Sequence, residues 1–145
     1  MKTCLFDASS IMLLAKRHPA TASATLEGEY RLDLTMYEVG NAIWKVNKLI
    51  NKSDKSTAME SMKQAYHLTA LMETIRVEDL LEFTGTMEIA FDGSISFYDS
   101  AYLHTARGRG LTLVTEDEHL RRRAIGLGVN CVTSRDIESE NRRIT

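Results

Sequence analysis

The sequence is short of the residues that mark several protein classes: its 145 residues hold 1 Pro, 1 Trp and 2 Cys. With Pro19 the lone proline, and no internal repeat or low-complexity segment, there is no domain linker to find. Cys4 and Cys131 are far apart, each inside a short apolar run, which excludes a disulfide framework and a zinc site and reads as two buried reduced thiols. No apolar run approaches the roughly 20 residues of a membrane helix, so no membrane span is expected. The N-terminal MKTCLFDASSIMLLAKRHP has an acid inside its apolar part and no small-residue cleavage site, which argues against a secretory leader and for a cytoplasmic protein. Basic charge is not in excess either, since 18 Lys plus Arg against 20 Asp plus Glu leave a net charge of -2. That balance is unlike a nucleic-acid binder's, but four acids covered by a cation would leave 18 against 16, before the ion's own charge, so the mild acidity excludes little.

What remains is the composition of an ordinary soluble globular protein, 43% hydrophobic and 26% charged. A chain of this length is about one domain and buries roughly two-thirds of its unfolded surface without staples. Apolar periodicity predicts a strand over 3–6 that ends at Asp7, then a helix over 11–17 capped by Ser9 or Ser10 and stopped before Pro19. A short helix over 20–26 closed by Gly28 and a strand over 30–34 follow. From Thr35 the pattern turns helical, with Tyr37, Ala42, Ile43, Val46, Leu49 and Ile50 as its apolar stripe and Lys45, Lys48, Lys52 and Lys55 on another face.

Residues 51–57 read as a turn, and Thr57 with Glu60 as a capping box for a helix over 57–74 whose Met59, Met62, Tyr66 and Met72 supply soft core. A strand over 75–77, a helix over 79–91 despite Gly85, a helix over 97–109 ended by Gly110, and a strand over 111–114 come next. A helix over 116–125 stopped by Gly126 and Gly128, a strand over 129–132, and a polar tail over 134–145 of at most one helical turn complete the chain. Strands alternating with helices of this length predict one three-layer α/β/α domain over 1–145, with a central, mostly parallel sheet of about five strands.

Four acids stand at the joints of this pattern: Asp7 after the first strand, Glu38 and Asp99 in first turns of helices, and Asp117 after the fourth strand. Each alone has a structural explanation, because Thr35 with Glu38, Ser96 with Asp99 and Thr115 with Glu118 all fit a hydroxyl cap followed three residues later by an acid. Together they are harder to dismiss. If the first and fourth strands are neighbours, all four acids reach the sheet edge where ligands bind in open parallel sheets. Carboxylates about 5 Å apart repel by roughly 3 kcal/mol per pair at an effective dielectric near 20, so such a cluster needs protons or a cation. An all-oxygen set calls for a hard ion, Mg²⁺ or Mn²⁺, suited to phosphodiester cleavage by an activated water. His18, His67, His104 and His119 are isolated, and Ser9 lacks the GxSxG elbow of a serine nucleophile.

At these four places the sequence resembles the PIN-domain ribonucleases, and most closely the VapC-type toxins of toxin–antitoxin pairs. The matching pieces are LFDASSIMLL around Asp7, LTMYEVGNAIWK around Glu38, ISFYDSAYLHTA around Asp99 and LTLVTEDEHLRRRA around Asp117, in the family's order. The resemblance implies a PIN-like fold and a metal-dependent endoribonuclease, with Asp7, Glu38, Asp99 and Asp117 as both catalytic residues and metal ligands. It further implies hydroxyls from Ser9 and Thr115 nearby, a contact from Asn41, a homodimer, an RNA substrate, and a small antitoxin that covers the cleft. Glu116 and Glu118 flank Asp117, which leaves open which carboxylate of TEDE reaches the ion.

Arg107 and Arg109, with Arg121, Arg122 and Arg123, are expected to flank the acids and hold the RNA backbone, ahead of the lysine stripe. The alternatives within the family are a housekeeping RNA-processing nuclease and a non-catalytic RNA- or partner-binding fold. Aspartyl-phosphate chemistry of the dehalogenase type wants a second acid two residues after the first, where this chain has Ser9.

Overall fold

A computed structural model describes residues 3–144; Met1, Lys2 and the last residue of the expected tail, Thr145, lie outside the described residues. In chain order it comprises β1 (Cys4–Phe6), α1 (Ala8–Arg17), α2 (Ala22–Leu26), β2 (Tyr30–Leu32), α3 (Thr35–Trp44), α4 (Lys55–Thr69) and β3 (Glu73–Ile75). Then come α5 (Leu80–Gly93), α6 (Phe97–Arg109), β4 (Thr112–Val114), α7 (Glu118–Gly126), β5 (Cys131–Val132) and α8 (Ser134–Ile144). A π-helical segment, Lys45–Ile50, continues α3. The sheet has the order β3-β2-β1-β4-β5 and every pairing is parallel, as the alternation of strands and helices predicts.

Alternation along each strand builds the layers. Leu5 and Leu113, paired in register, face one side and pack with Ile89, Tyr102, Leu103 and Leu120 from α5, α6 and α7. Phe6 and Val114 face the other, against Ile11, Leu14 and Leu26 of α1 and α2. Val39 and Ile43 of α3 join Ala8 and Met12 there, with Met62 of α4 alongside. The single Gly85 lets α6 approach α5 closely, since a Cβ there would fall 2.3 Å from His104 Nε2.

Several expectations shift. Asp7, and not Ser9 or Ser10, caps α1, and Asp54, and not Thr57, caps α4, because an acid two or three residues earlier accepts the first free N–H groups more strongly. The helix expected to run to residue 74 ends at Thr69, and the third strand lies at Glu73–Ile75 instead of 75–77, where Tyr30, Arg31 and Leu32 pair with Glu73, Thr74 and Ile75. The helix expected from Glu116 begins at Glu118 with Asp117 as its cap. The tail is a full helix, α8, whose Ile137 packs on the α1 side of the sheet.

Of the stripe expected on the helix from Thr35, Ile43 is buried and Ala42 half-buried, and the other four members point outward. Thr35, Val39, Ile43 and Asn47 form the buried row, while Tyr37, Val46, Leu49 and Ile50 are exposed. The wider π-helical turn breaks the 3.6-residue phase that the periodicity assumed, and Asn47 enters the protein by donating to Ile43 O at 2.9 Å. Met72 is buried and Met62 half-buried, whereas Met59 is exposed. Cys4 is buried and Cys131 half-buried, neither of them in a disulfide, and burial pushes the Cys131 thiol up to about 11.

Leu113 is fully buried at the centre of the sheet. Leu113→Ala is expected to cost about 2–5 kcal/mol, read as a lower urea midpoint with an unchanged m-value. An unmoved midpoint would show that the core is not built around this strand.

Candidate active site

β1, β2 and β4 run parallel and therefore end at one edge, and β1 is the strand at which the chain order reverses. Asp7 follows β1 there. Its N–H donates to Val114 O at 3.1 Å, extending the ladder to β4. Its carboxylate is buried. Oδ1 accepts from Ser9 Oγ at 2.8 Å and from the Ser10 N–H at 2.9 Å, and Oδ2 accepts from the Thr115 hydroxyl. Burial pushes the carboxyl's pKa up, and the bonds from Thr115, Ser10 and Ser9 pull part of the way back.

Glu38 stands in the first turn of α3 and accepts at Oε1 from the Tyr102 hydroxyl at 2.7 Å. Tyr102 has one proton, and the Leu32 N–H already donates to Thr35 Oγ1 at 3.0 Å, so the Thr35 hydroxyl donates onward to Tyr102 at 2.7 Å. A directed relay thus runs from β2 to Glu38. Burial raises the Glu38 carboxyl above its ordinary range, Tyr102 opposes this, and the negative charges of Asp7 and Asp99 raise it further. Asp99 lies in the first turn of α6, whose cap is Ser96, accepting from the Asp99 N–H at 3.0 Å. Its carboxyl is raised by burial and by Asp117, against hydrogen bonding from Ser96 and the nearby His119.

Asp117 caps α7, accepting the Leu120 N–H at 3.0 Å, while its own N–H donates to Thr115 Oγ1 at 3.1 Å. Thr115 therefore receives from Asp117 and gives to Asp7. Glu38 feels the charges of Asp7 and Asp99, and Asp99 feels that of Asp117. The neighbours of Asp117 point elsewhere. Glu116 Oε1 accepts the Ser134 N–H at 2.9 Å, at the start of α8, and Glu118 pairs with Arg122 at 2.6 Å on the surface.

Of the other residues singled out in the sequence, Ser9 and Asn41 share with Glu38 a cavity of about 750 Å³, also lined by Lys45. The arginines do not gather there. α6 starts beside the acids and ends at the opposite edge, so Arg107 and Arg109 lie about 12 and 15 Å further along its axis than Asp99. Arg121 faces Cys131 and Asp136, Arg122 is held by Glu118, and Arg123 packs where a Cβ on Gly93 would meet its Nε at 2.5 Å. The expected arginine flanks of the cleft are thus dispersed, because a helix sends three consecutive side chains in three directions.

Sequence reasoning missed Tyr102, Thr35 and Ser10. The first had a detectable signal, three residues after Asp99 on one helix face. The other two read in the sequence as helix caps, Ser10 for the first helix and Thr35 with Glu38, which hides their part in the site.

Among the described residues no group of three or more His, Cys, Asp or Glu side chains is gathered in a metal-holding arrangement. Hydrogen bonds hold these carboxylates on separate partners: Ser9, Ser10 and Thr115 for Asp7, Tyr102 for Glu38, and the Leu120 N–H for Asp117. In kind the donors suit a hard cation, being oxygens with raised proton affinity at Asp7, Glu38 and Asp99 and no thiolate among them.

No protein-family model matches the chain. A curated relative, the exonuclease VapC9 of Pyrobaculum aerophilum, is 31% identical over 116 residues, spanning 80% of this chain and 81% of the relative. The crystal structure of PAE2754 from Pyrobaculum aerophilum superposes with a TM-score of 0.75 at 25% identity, over 94% of this chain and 93% of that one. Shared sequence and a shared fold agree: the chain belongs to the VapC-type PIN-domain family.

Proposed function

We propose that this protein is a divalent-metal-dependent endoribonuclease that hydrolyses RNA phosphodiesters, and that it serves as the toxin of a type II toxin–antitoxin pair. The observation that carries the reading is the chain of acids at the strand-order reversal, three of them raised by burial, with Asp7 and Asp99 adding to the shift at Glu38 and Asp117 to that at Asp99. Such a site favours whatever brings positive charge. Mg²⁺ or Mn²⁺ held by Asp7, Glu38, Asp99 and Asp117 would supply an activated water and stabilise the leaving oxygen. The protein's part is positional. Ser9, Ser10 and Thr115 orient Asp7, Tyr102 orients Glu38, and Lys45 offers a cation to the phosphate from the same cavity.

The related VapC9 is named an exonuclease, and the proposal here is internal cleavage. The proposed partners are RNA, a small antitoxin over the cleft and a second copy of the chain. Exposed Leu80, Leu81, Met87 and Phe91 along α5 give a second copy apolar surface to cover. No helix among the described residues is long and apolar enough to cross a membrane, and the proposed site of action is the cytoplasm.

Purified protein with Mg²⁺ or Mn²⁺ is expected to open a covalently closed RNA circle, to stop doing so in chelator, and to fall to the buffer level as Asp7→Asn. Robust cutting by that variant would refute the site, and digestion of linear RNA with the circle left whole would refute internal cleavage. Asp117→Asn is expected to lower cutting far more than Glu116→Gln, whose carboxylate serves α8.

The raised carboxyls also set a pH dependence. A folded-state pKa above the unfolded value means that the folded state holds its proton longer, so stability is fullest below the ordinary carboxylate range of about 4 and declines as pH rises through the native value. Asp7→Asn removes one such group while keeping acceptors for Ser9 and Ser10. Asp54 and Asp136 shift in the opposite sense and are common to both proteins. In metal-free buffer the melting temperature of Asp7→Asn relative to the parent is therefore expected to rise between about pH 4 and neutrality, measured by scanning calorimetry. A relative melting temperature that falls over this window would contradict the burial of a charged Asp7.

A further inference from the structure

We infer that Tyr37, Tyr98 and the apolar cavity beside them form a subsite for an unpaired nucleobase next to the acids, an assignment that rests on the ribonuclease reading above. Tyr37 and Tyr98 stand in the first turns of α3 and α6, and both rings line the cavity that holds Glu38. The two side chains are 84% and 62% exposed, which is far more than a tyrosine used for packing.

Both rings, with Leu34, line two cavities at once. One is the cavity of about 750 Å³ that holds Ser9, Glu38, Asn41 and Lys45. The other measures about 260 Å³ and is walled mainly by Val77, Phe83, Phe97 and Ala101, with Asp33 and Thr86 among its lining. The tyrosines therefore border both chambers, the larger of which carries Glu38, Asn41 and Lys45 and the smaller the phenylalanine rings. Phe83 and Phe97 give the smaller chamber a flat wall, their rings stacked at 6.4 Å with planes 12° apart.

A nucleotide matches this division. Its phosphate is polar and anionic and belongs with Lys45 and the proposed cation, whereas its base is a planar group with two π faces. A strand laid across the tyrosine ridge brings a phosphate to Glu38 and Lys45 and lets an adjoining base stack on Tyr37 or Tyr98, or enter the chamber behind them. Base–aromatic stacking tolerates any base, so the subsite positions a single strand and carries no sequence code. A paired duplex has its bases stacked on one another and leaves none for the ridge.

The test uses an Asp7→Asn background, in which RNA stays whole, and fluorescence anisotropy with a short labelled RNA of mixed sequence. A matched RNA bearing abasic sites replaces the bases. Tyr37→Ala and Tyr98→Ala are expected to weaken binding of the base-bearing RNA about tenfold each, to leave the abasic RNA nearly unaffected, and to be rescued by Phe at the same positions. In the otherwise native chain the same substitutions are expected to raise KM more than they lower kcat.

Equal binding by the Ala variants, an equal loss on abasic RNA, or no RNA binding by the parent overturns the subsite. A change in sedimentation with RNA binding intact assigns the ridge to a second copy and also overturns it. Ring-dependent binding by a chain that cuts nothing leaves the subsite standing and removes the nuclease reading. Cutting that depends on Asp7 but not on either ring does the reverse.

Discussion

One buried carboxylate ties the molecule together at its working edge. Asp7 leaves β1, extends the ladder to β4 through its N–H, caps α1 through Oδ1, and receives the Thr115 hydroxyl from the end of β4 at Oδ2. Removing a charge from water is costly unless it is surrounded by donors, and three side-chain or backbone donors from two elements meet here. The same contacts that make the charge tolerable fix the crevice between β1 and β4. Burial nevertheless prevails, since the carboxyl remains raised.

The remaining acids are held by separate devices. Glu38 depends on a relay from the Leu32 N–H through Thr35 and Tyr102, and Asp117 depends on its role as cap of α7. Asp99 lies beside Asp117, and their charges oppose each other. Repulsion and hydrogen bonding thus act in opposite directions on a single cleft. Stability is surrendered there, and the mouth is left lined by exposed tyrosines instead of by packed ones.

Legibility differed sharply between elements. The helix Phe97–Arg109 was readable to the residue because Ser96 caps it and Gly110, with φ 65°, ends it. The stripe expected from Thr35 holds at Ile43 but fails at Val46, Leu49 and Ile50, because a π-helical turn has no sequence signature and a polar Asn47 takes the interior position there. The short strands were displaced by a residue or two, since strands of 2 or 3 residues leave little periodicity to read. In the site, the acids were visible from their positions at strand ends and helix starts. Tyr102 was not, because a tyrosine three residues along a helix reads as core until its hydroxyl is seen to reach Glu38.

The sequence by itself determined the alternation of strands and helices, hence a parallel sheet, hence a single edge at which Asp7, Glu38, Asp99 and Asp117 arrive. That follows from local chemistry: apolar runs, caps and breakers act within a few residues. Only the tertiary structure decided which carboxylate of Glu116, Asp117 and Glu118 turns toward the cleft, since that depends on where the α8 backbone and Arg122 stand. It also decided that the arginines disperse, because the direction of a side chain on a helix is set by what packs against its neighbours, a fact that no local spacing contains.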